Sequence, residues 1–271
     1  MALPDVARPF EAARTRRTAG ALLLLRREWL TVSEDFDASW RRVGPRLALV
    51  LGSAQLGAAR DGAALVSAAL GDDDPGADVQ VRPAAFAGVT DQGNPLDALL
   101  YGAVTHARGA AAGGLSARLD AGWTFLEPVA RTQIADAGRG AAKVAVVARP
   151  GVQWVRIANA PCCKRCAVLG GRTYRWSQGF DRHPGCDCTM LPQTLAAPDA
   201  PGLDVQLDDI RDLTRKEREA IEAGADFNQV LNTSARSTSR DLRAARLDRL
   251  IRSARTRENA VDALVRSGHA A

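Results

Sequence analysis

The chain has 271 residues and a formal net charge of +5, and 46% of its residues are hydrophobic whereas 5% are aromatic. That length suits one large domain or two to three small ones, and the apolar content is enough to bury a core. The most apolar run near the N-terminus, residues 19–25, is too short to cross a bilayer, and no small-residue cleavage site follows it. We therefore expect neither a transmembrane helix nor a signal peptide.

Residues 1–70 are predicted to be helical. Apolar side chains recur at spacings of three and four from Leu22 to Val43, which is the period of one helical face. We expect Pro45 to break or kink this helix, because proline removes a backbone donor. The face, here called the N-terminal stripe, either packs on residues 46–70 or docks on a partner through its large aromatic anchors. The N-terminal stripe consists of Leu22, Leu25, Trp29, Val32, Phe36, Trp40 and Val43.

The middle of the chain is predicted to contain a linker followed by two helical segments. The acidic sequence GDDDPGAD at 71–78 is typical of a turn, and we interpret it as a linker. A helix is expected from Leu96, with a break at the glycines 113–114. Because proline is favoured at the first position of a helix, a second helix is predicted to begin near Pro128 and to end before Pro150.

Short alternating segments surround the cysteines in the next part of the chain. Residues 152–158 and 171–177 are β-branched or aromatic and alternate with polar residues, which predicts strands of a small sheet. Residues 195–204 are interpreted as a second linker. The alanine- and leucine-rich remainder favours helices. We therefore predict a mainly α fold that includes a small α+β module.

Helix-capping residues follow the second linker. Thr214 and Glu217 have the T-x-x-E spacing of a capping box, and the helix they begin should end at Gly224. Asp226 should cap the next short helix.

All five cysteines lie within 27 positions. An odd, clustered set does not suit a secreted disulfide framework, so we expect a reducing compartment. The C-x-x-C pair and the H-P-G-C-D-C segment have the spacing of two ligand pairs that close a tetrahedral structural zinc site. Cys162 breaks the C-x-x-C register and is predicted to be a spare thiol. Five candidates compete for four ligand positions: Cys163, Cys166, His183, Cys186 and Cys188.

Two simpler interpretations of these cysteines remain open. The C-x-x-C pair alone is also typical of a redox site, although His183, Cys186 and Cys188 would then have no role. The cysteines could also be buried free thiols. The metal interpretation has a further argument, since a small sheet with few large apolar residues needs a staple to be stable.

The pattern C-x-x-C-A-x-L-x-G, followed by G-F-x-x-H-P-x-C-x-C, resembles the Mu F-like minor head proteins of tailed phages, and it is most similar to the version in phages of actinobacteria. Upstream, VARTQIADAGR resembles the family's Arg-Thr helix, with Arg131 and Thr132 at the matching positions, and Trp154 matches a tryptophan before the cysteines. Downstream, LTRKEREAIEAGADFNQVLN resembles a segment of the actinophage members. Gln133 stands where the family usually has glutamate, and Asn159 stands where the family often has aspartate.

The resemblance covers about residues 125–232 and implies a virion component that is made in the host cytoplasm. It implies a place in the capsid interior near the portal, and a role in head assembly and in DNA packaging or delivery. The expected partners are the portal protein, met through the N-terminal helices, and other head proteins. We expect no membrane, no small-molecule substrate and no enzymatic activity. The expected domains are a helical N-terminal region at 1–115, a Mu F-like Cys/His zinc module at 116–194 and a C-terminal helical segment with a basic tail at 205–271.

Another class of function fits part of the motif. A zinc-stabilised metal-dependent nuclease would use His183 as general base and the cysteines as support, although no second histidine follows on a helix to hold magnesium. A redox or nucleic-acid-binding module is a further alternative. The direction of His183, towards the metal or towards an open cleft, distinguishes the structural protein from the nuclease.

The C-terminal tail is basic. Residues 234–271 contain nine arginines against four acidic residues, which gives a net charge of +5. Leu247, Leu250, Ile251 and Ala254 form an apolar seam, so the segment is either an amphipathic helix packed on a neighbour or a DNA contact. The arginines predicted to contact nucleic acid are Arg240, Arg243, Arg246, Arg249, Arg252 and Arg255.

Overall fold

The computed structural model describes residues 4–110, 112–180, 182–183, 186, 188–195, 205–235 and 245–271. Within these ranges the fold is mainly α-helical and contains a small antiparallel sheet, as the composition and periodicity predicted. The strands are β1 (Val152–Ile157), β2 (Thr173–Tyr174) and β3 (Thr189–Thr194). The helices are α1 (Arg8–Trp29), α2 (Phe36–Leu70), α3 (Leu96–Leu100), α4 (Gly102–Gly109), α5 (Leu115–Val147), α6 (Lys164–Leu169), α7 (Arg215–Glu222), α8 (Phe227–Ala235), α9 (Arg246–Ser253) and α10 (Arg257–Arg266).

The N-terminal stripe is divided between two helices, and its member Val32 lies in the connection between them. α1 ends at Trp29, and Asp35 caps α2 by accepting a hydrogen bond from the backbone N–H of Ala38 at 2.9 Å. The segment between them, residues 30–35, contains threonine, serine, glutamate and aspartate. Such short polar side chains bond to nearby backbone groups and favour caps and turns over helix interiors. The prediction of a single continuous stripe was therefore wrong.

Both helices bury the stripe inside the molecule. Trp29 is fully buried, and its Nε1–H donates to the carbonyl oxygen of Leu119 on α5 at 2.8 Å. Leu25 is fully buried as well, whereas Trp40 is half-buried and contacts Tyr101 edge-on. The stripe is thus part of the core, and it packs on α3, α4 and α5 as well as on the rest of α2.

Two prolines lie inside long helices. α2 continues through Pro45, and α5 begins at Leu115, well before Pro128. Each proline removes a helical hydrogen bond, at a cost of about 3 kcal/mol. Packing offsets this loss, because Leu126 and Ala130 on either side of Pro128 are fully buried. Of the two outcomes predicted at Pro45, a break does not occur, because α2 continues through it, and the predicted helix start near Pro128 was wrong.

The 33-residue helix α5 connects the two halves of the structure. Its length is about 50 Å at 1.5 Å per residue. Its N-terminal half packs on α1, α2 and α4, and its C-terminal half packs on the sheet and on α10. The crossing with α2 is close, since a Cβ on Gly62 would clash with the carbonyl oxygen of Gly138. α5 ends at Val147, before Pro150, as predicted.

The sheet has the order β2–β1–β3, and both pairings are antiparallel. β1 matches the first predicted strand. β2 lies within the second predicted strand but is only two residues long. β3 was not predicted, because Pro192 interrupts the strand pattern. As an edge strand, β3 needs hydrogen bonds on one side only, so a proline opposite Trp154 is tolerated.

The predicted caps of α7 and α8 are confirmed. Thr214 Oγ1 accepts from the N–H of Glu217 at 3.3 Å, and the Glu217 carboxylate accepts from the N–H of Thr214 at 2.8 Å. The chain leaves α7 through Gly224, whose φ of +97° favours glycine. Asp226 then accepts from the N–H of Gln229 at 2.7 Å at the start of α8.

The first predicted linker is a turn that is fixed to the end of α5. Asp74 pairs with Arg149 at 2.9 Å, and the N–H of Asp78 donates to the carbonyl oxygen of Ala148 at 2.9 Å. The second predicted linker lies outside the described residues from position 196 onward. Among the described helices, none combines the length and the hydropathy that a bilayer span requires.

Candidate metal centre

The C-x-x-C pair begins the short helix α6. Cys163 precedes the helix, and its Sγ accepts a hydrogen bond from the backbone N–H of Cys166 at 3.4 Å. Because the chain turns tightly at this point, both sulfurs face the same side. Hydrogen bonding from Cys166, assisted by His183, lowers the pKa of the Cys163 thiol to about 4.

His183 and the second cysteine pair reach this turn from the segment before β3. The Nε2 of His183 lies 3.1 Å from the Sγ of Cys163 and 3.3 Å from the Sγ of Cys166. The Sγ of Cys186 lies 3.9 Å from that of Cys166, and Cys188 is within reach of both. The structure thus brings together all five ligands predicted from the sequence.

The five donors form two triads that share Cys166. One triad is Cys163, Cys166 and His183, the other is Cys166, Cys186 and Cys188, and the ligand atoms of each triad lie within 4.8 Å of one another. Two sulfurs bound to one tetrahedral zinc ion at about 2.3 Å are about 3.8 Å apart. The Cys166–Cys186 distance of 3.9 Å matches this value. The cluster can hold a metal ion, and Cys166 would be a ligand whichever of the two triads binds it.

The protonation of the sulfurs also favours a cation. Hydrogen bonds from Cys166 and Cys188 lower the pKa of Cys186, whereas hydrogen bonds with Cys163, Cys186 and Cys188 raise the pKa of Cys166. Such closely packed thiols share protons, because they cannot all be anionic without a neighbouring positive charge. A metal ion would replace the shared protons, since cysteine binds metals as thiolate.

A buried arginine on α5 fixes the second cysteine pair. The Nη1–H of Arg139 donates to the carbonyl oxygens of Cys186 at 3.0 Å and Cys188 at 3.2 Å. Its Nη2 bonds to Asp136 Oδ1 at 2.6 Å, and the same oxygen accepts from Arg182 Nε at 2.8 Å. The long helix therefore determines where the second ligand pair lies.

Aromatic rings pack beside the cysteines in the same buried cluster. The Trp154 ring stacks on Tyr174 with centroids 4.2 Å apart and on Phe180 with centroids 5.4 Å apart. The Nζ of Lys143 lies 5.5 Å from the Trp154 ring centroid, and burial lowers the pKa of this ammonium to about 8. Trp154, which the sequence analysis matched to a tryptophan of the resembled family, thus packs beside the candidate ligands.

Cys162 lies outside both triads. Its backbone bonds to the segment before α7, accepting from the N–H of Arg211 at 3.0 Å and donating to the carbonyl oxygen of Asp209 at 2.7 Å. Burial raises the pKa of its thiol to about 11, so it remains protonated at neutral pH. These properties agree with the prediction that Cys162, which falls outside the C-x-x-C spacing, is a spare thiol.

The sequence did not identify Arg139 and Arg156, which flank the cluster. Arg156 follows Trp154 by two residues on β1, so both side chains lie on the same face of the strand. An arginine on the inward face of a buried strand is the signal that would have found it. Arg139 had no comparable signal, because its targets are backbone carbonyls 47 and 49 residues away.

The two residues at which the chain differs from the family that its motif resembles lie at separate places in the structure. Asn159 donates from Nδ2 to the carboxylate of Glu11 at 3.1 Å and to Oγ1 of Thr189 at 3.0 Å. It therefore ties α1 to the first residue of β3. Gln133 is buried on α5, and its Oε1 has no hydrogen-bond partner among the described residues.

The predicted nucleic-acid residues lie apart from the metal ligands. Arg240 and Arg243 lie outside the described residues, whereas the other four are exposed on or just after α9. Leu247 and Ile251, on the opposite face of α9, are buried against α5 and Phe86. The apolar seam thus packs on the body of the protein. The exposed arginines are Arg246, Arg249, Arg252 and Arg255.

Comparisons of the chain with protein-family models, with curated proteins and with solved structures found no match.

Proposed function

We propose that the protein is a Mu F-like minor head protein of a tailed phage, and that its Cys/His cluster holds one structural zinc ion. In this proposal it is made in the host cytoplasm, lies in the capsid interior near the portal, and acts without catalysis in head assembly and in DNA packaging or delivery. The observation that carries the proposal is the convergence of all five donors of the motif around Cys166.

Zinc is the metal that this donor set favours. Thiolate and imidazole ligands in a tetrahedral arrangement are typical of structural zinc sites. Cys166 would bind together with three of the other four donors, and the ion would cross-link α6 to the segment before β3. A three-stranded sheet of this size buries too little apolar surface to be stable by itself, so the cross-link would contribute to folding.

The orientation of His183 supports a structural role over the nuclease alternative. A general base has to lie within reach of a substrate or of water. His183 is buried, and its Nε2 faces the sulfurs of Cys163 and Cys166 at 3.1 and 3.3 Å. In this position the imidazole is suited to bind a metal and not to remove a proton from a substrate.

A contact with packaged DNA is a second function, and the exposed face of α9 favours it. Arg246, Arg249 and Arg252 follow at intervals of three residues, so they cover an arc of about 120° on a helix with 100° per residue. Their guanidinium groups suit phosphate, since each can donate two parallel hydrogen bonds. The buried seam of α9 would hold this arc at a fixed place on the surface.

Salt dependence tests the DNA contact. If these three arginines each neutralise one phosphate, the logarithm of the duplex-binding constant should fall with the logarithm of salt concentration with a slope of about −2.7. The variant in which all three are glutamine should lose most of that slope. A flat salt dependence in the unmodified chain, or an unchanged slope in the variant, would contradict the contact.

Localisation and metal content test the main proposal separately. Antibodies against the chain should label purified particles at one vertex after the heads are opened, and mass spectrometry should find few copies per particle. Elemental analysis of the purified chain should give one zinc per chain. Absence of the chain from particles would contradict the phage function, whereas absence of metal from a folded, reduced sample would contradict the zinc site.

The portal contact needs a surface other than the N-terminal stripe. Trp29 and Phe36, two of its three large aromatic anchors, are buried within the chain. Docking of the portal through another face of the N-terminal helices stays a prediction.

A further inference from the structure

A buried arginine touches the sulfurs of the candidate metal centre. Arg156 lies on the central strand β1, and 1% of its surface is exposed. Its Nη2 lies 3.5 Å from the Sγ of Cys186 and 3.9 Å from the Sγ of Cys166. Its guanidinium carbon lies 4.3 Å from the ring centroid of Phe180. The guanidinium group is therefore held between two candidate ligands and an aromatic ring.

The position of this cation favours anionic sulfurs. A cation removed from water is costly unless an anion lies close to it. A neutral thiol is only a weak acceptor, whereas a thiolate is an anion and is also the form that binds metals.

The proposed zinc centre has a complementary need for positive charge. A zinc ion with three thiolates and one imidazole carries one net negative charge, and a zinc ion with four thiolates carries two. Such a charge is unfavourable in a buried site unless it is compensated. Arg156 meets the sulfurs themselves, whereas Arg139 bonds to backbone carbonyls of the second pair. Arg156 is therefore the group placed to compensate the thiolates directly.

We propose that Arg156 is a positioning residue of the metal centre, which donates hydrogen bonds to the metal-bound thiolates of Cys166 and Cys186 and thereby retains the ion. This inference rests on the proposed zinc site and is independent of the phage function. Outer-shell hydrogen bonds orient metal ligands, and their loss typically weakens metal binding about 10- to 100-fold. Both sulfur contacts are made by Nη2 of Arg156, whose two N–H groups can each donate to one sulfur.

Zinc affinity in the full-length chain tests the role of Arg156. Competition with a chromophoric chelator should show that Arg156→Gln binds zinc about 10- to 100-fold more weakly than the unmodified chain. Arg156→Lys should lie between the two, because it keeps the charge but places it on a compact and more strongly hydrated ammonium group. Arg149→Gln is the matched control, since Arg149 is also buried but bonds to Asp74 away from the cysteines. Its zinc affinity should be unchanged even if its stability falls.

Cobalt(II) in place of zinc gives a readout that a merely structural role would not change. Removal of hydrogen bonds to the thiolates should shift the sulfur-to-cobalt charge-transfer band in Arg156→Gln and, to a smaller extent, in Arg156→Lys, but not in Arg149→Gln. If Arg156→Gln does not fold, the zinc affinity and the cobalt spectrum of Arg156→Lys test the proposal in its place. The proposal would be overturned if a folded Arg156 variant kept the zinc affinity and the cobalt spectrum of the unmodified chain. An equal loss of zinc affinity in Arg149→Gln would also overturn it. If the unmodified chain binds no metal, the zinc site itself has failed.

Discussion

The N-terminal helical core and the region around the Cys/His cluster share α5, but they are stabilised in different ways. The second region, here called the metal region, runs from β1 through α6 to β3. The N-terminal core, formed by α1 to α4 and the first half of α5, buries a continuous set of apolar side chains such as Trp29, Leu47 and Leu126. The metal region contains three short strands, and it buries Arg139 and Arg156 beside the cysteines. Apolar area stabilises the first region, whereas the second combines an apolar cluster with charge-assisted hydrogen bonds and, in the proposed function, with a bound metal ion.

This difference predicts two kinds of response to substitution. In an apolar core, each side chain contributes according to the area that it buries, so one loss weakens the region by a limited amount. In a metal centre, several ligands hold one ion, so the loss of a shared ligand removes the contribution of the whole set. Four substitutions, in order of decreasing expected effect, test this contrast.

Cys166→Ser is expected to disrupt the metal region and to leave the N-terminal core folded. It removes the donor common to both triads, and a structural zinc ion contributes on the order of 10 kcal/mol or more to folding. Amide hydrogen exchange should accelerate across residues 152–194 while α1 and α2 stay protected. Cys162→Ser is the control, because Cys162 lies outside both triads. Metal retention in Cys166→Ser, or equal loss in the control, would falsify the ligand assignment.

Trp29→Ala is expected to weaken the N-terminal core without loss of metal. The substitution removes a fully buried ring and its hydrogen bond to Leu119, and such truncations cost about 3–5 kcal/mol. Urea unfolding measures the loss, and zinc stoichiometry should stay the same. Leu23→Ala is the control, since Leu23 is 73% exposed and should change stability by less than about 0.5 kcal/mol. Zinc loss from folded Trp29→Ala would show that the two regions are not independent.

Lys143→Met tests a buried charge beside the metal region. Burial lowers the pKa of Lys143 from 10.5 to about 8, although Asp248 partly opposes the shift. Between pH 8 and pH 10.5 the unfolded chain therefore binds more protons at this residue than the folded chain does, so its contribution to stability rises with pH. Each unit of pKa difference is worth about 1.4 kcal/mol.

Denaturant unfolding across this pH window measures that contribution. The difference in stability between Lys143→Met and the unmodified chain should favour the variant below pH 8 and shrink as the pH rises towards 10.5. A difference that does not change with pH across this window would show that burial does not lower the pKa of Lys143 in the folded protein.

Thr214→Ala is expected to have the smallest effect, confined to α7. It removes the side-chain acceptor for the N–H of Glu217, and loss of such a cap costs about 1 kcal/mol. Hydrogen exchange should accelerate in residues 215–222 only. Zinc content and the protection of α5 should not change. A global loss of stability would show that α7 contributes more to the fold than its exposed cap suggests.

Local features followed from the sequence because their causes lie within a few residues. Thr214 and Glu217 satisfy each other's backbone groups three residues apart, and Asp226 does the same for α8. The Cys163 and Cys166 spacing likewise defines a turn in which both sulfurs face one side. The sequence therefore indicated which five donors lie together, whereas their role as metal ligands stays a prediction.

Tertiary packing decided what depends on distant parts of the chain. α5 passes through Pro128 because buried neighbours on α1 to α4 offset the lost hydrogen bond. β3 forms in spite of Pro192 because β1 supplies a partner on one side. Arg156 meets Cys166 and Cys186 only after the sheet and α6 have been brought together. Local hydrogen bonds determine where elements begin and end, whereas burial between elements determines which local preferences are overruled.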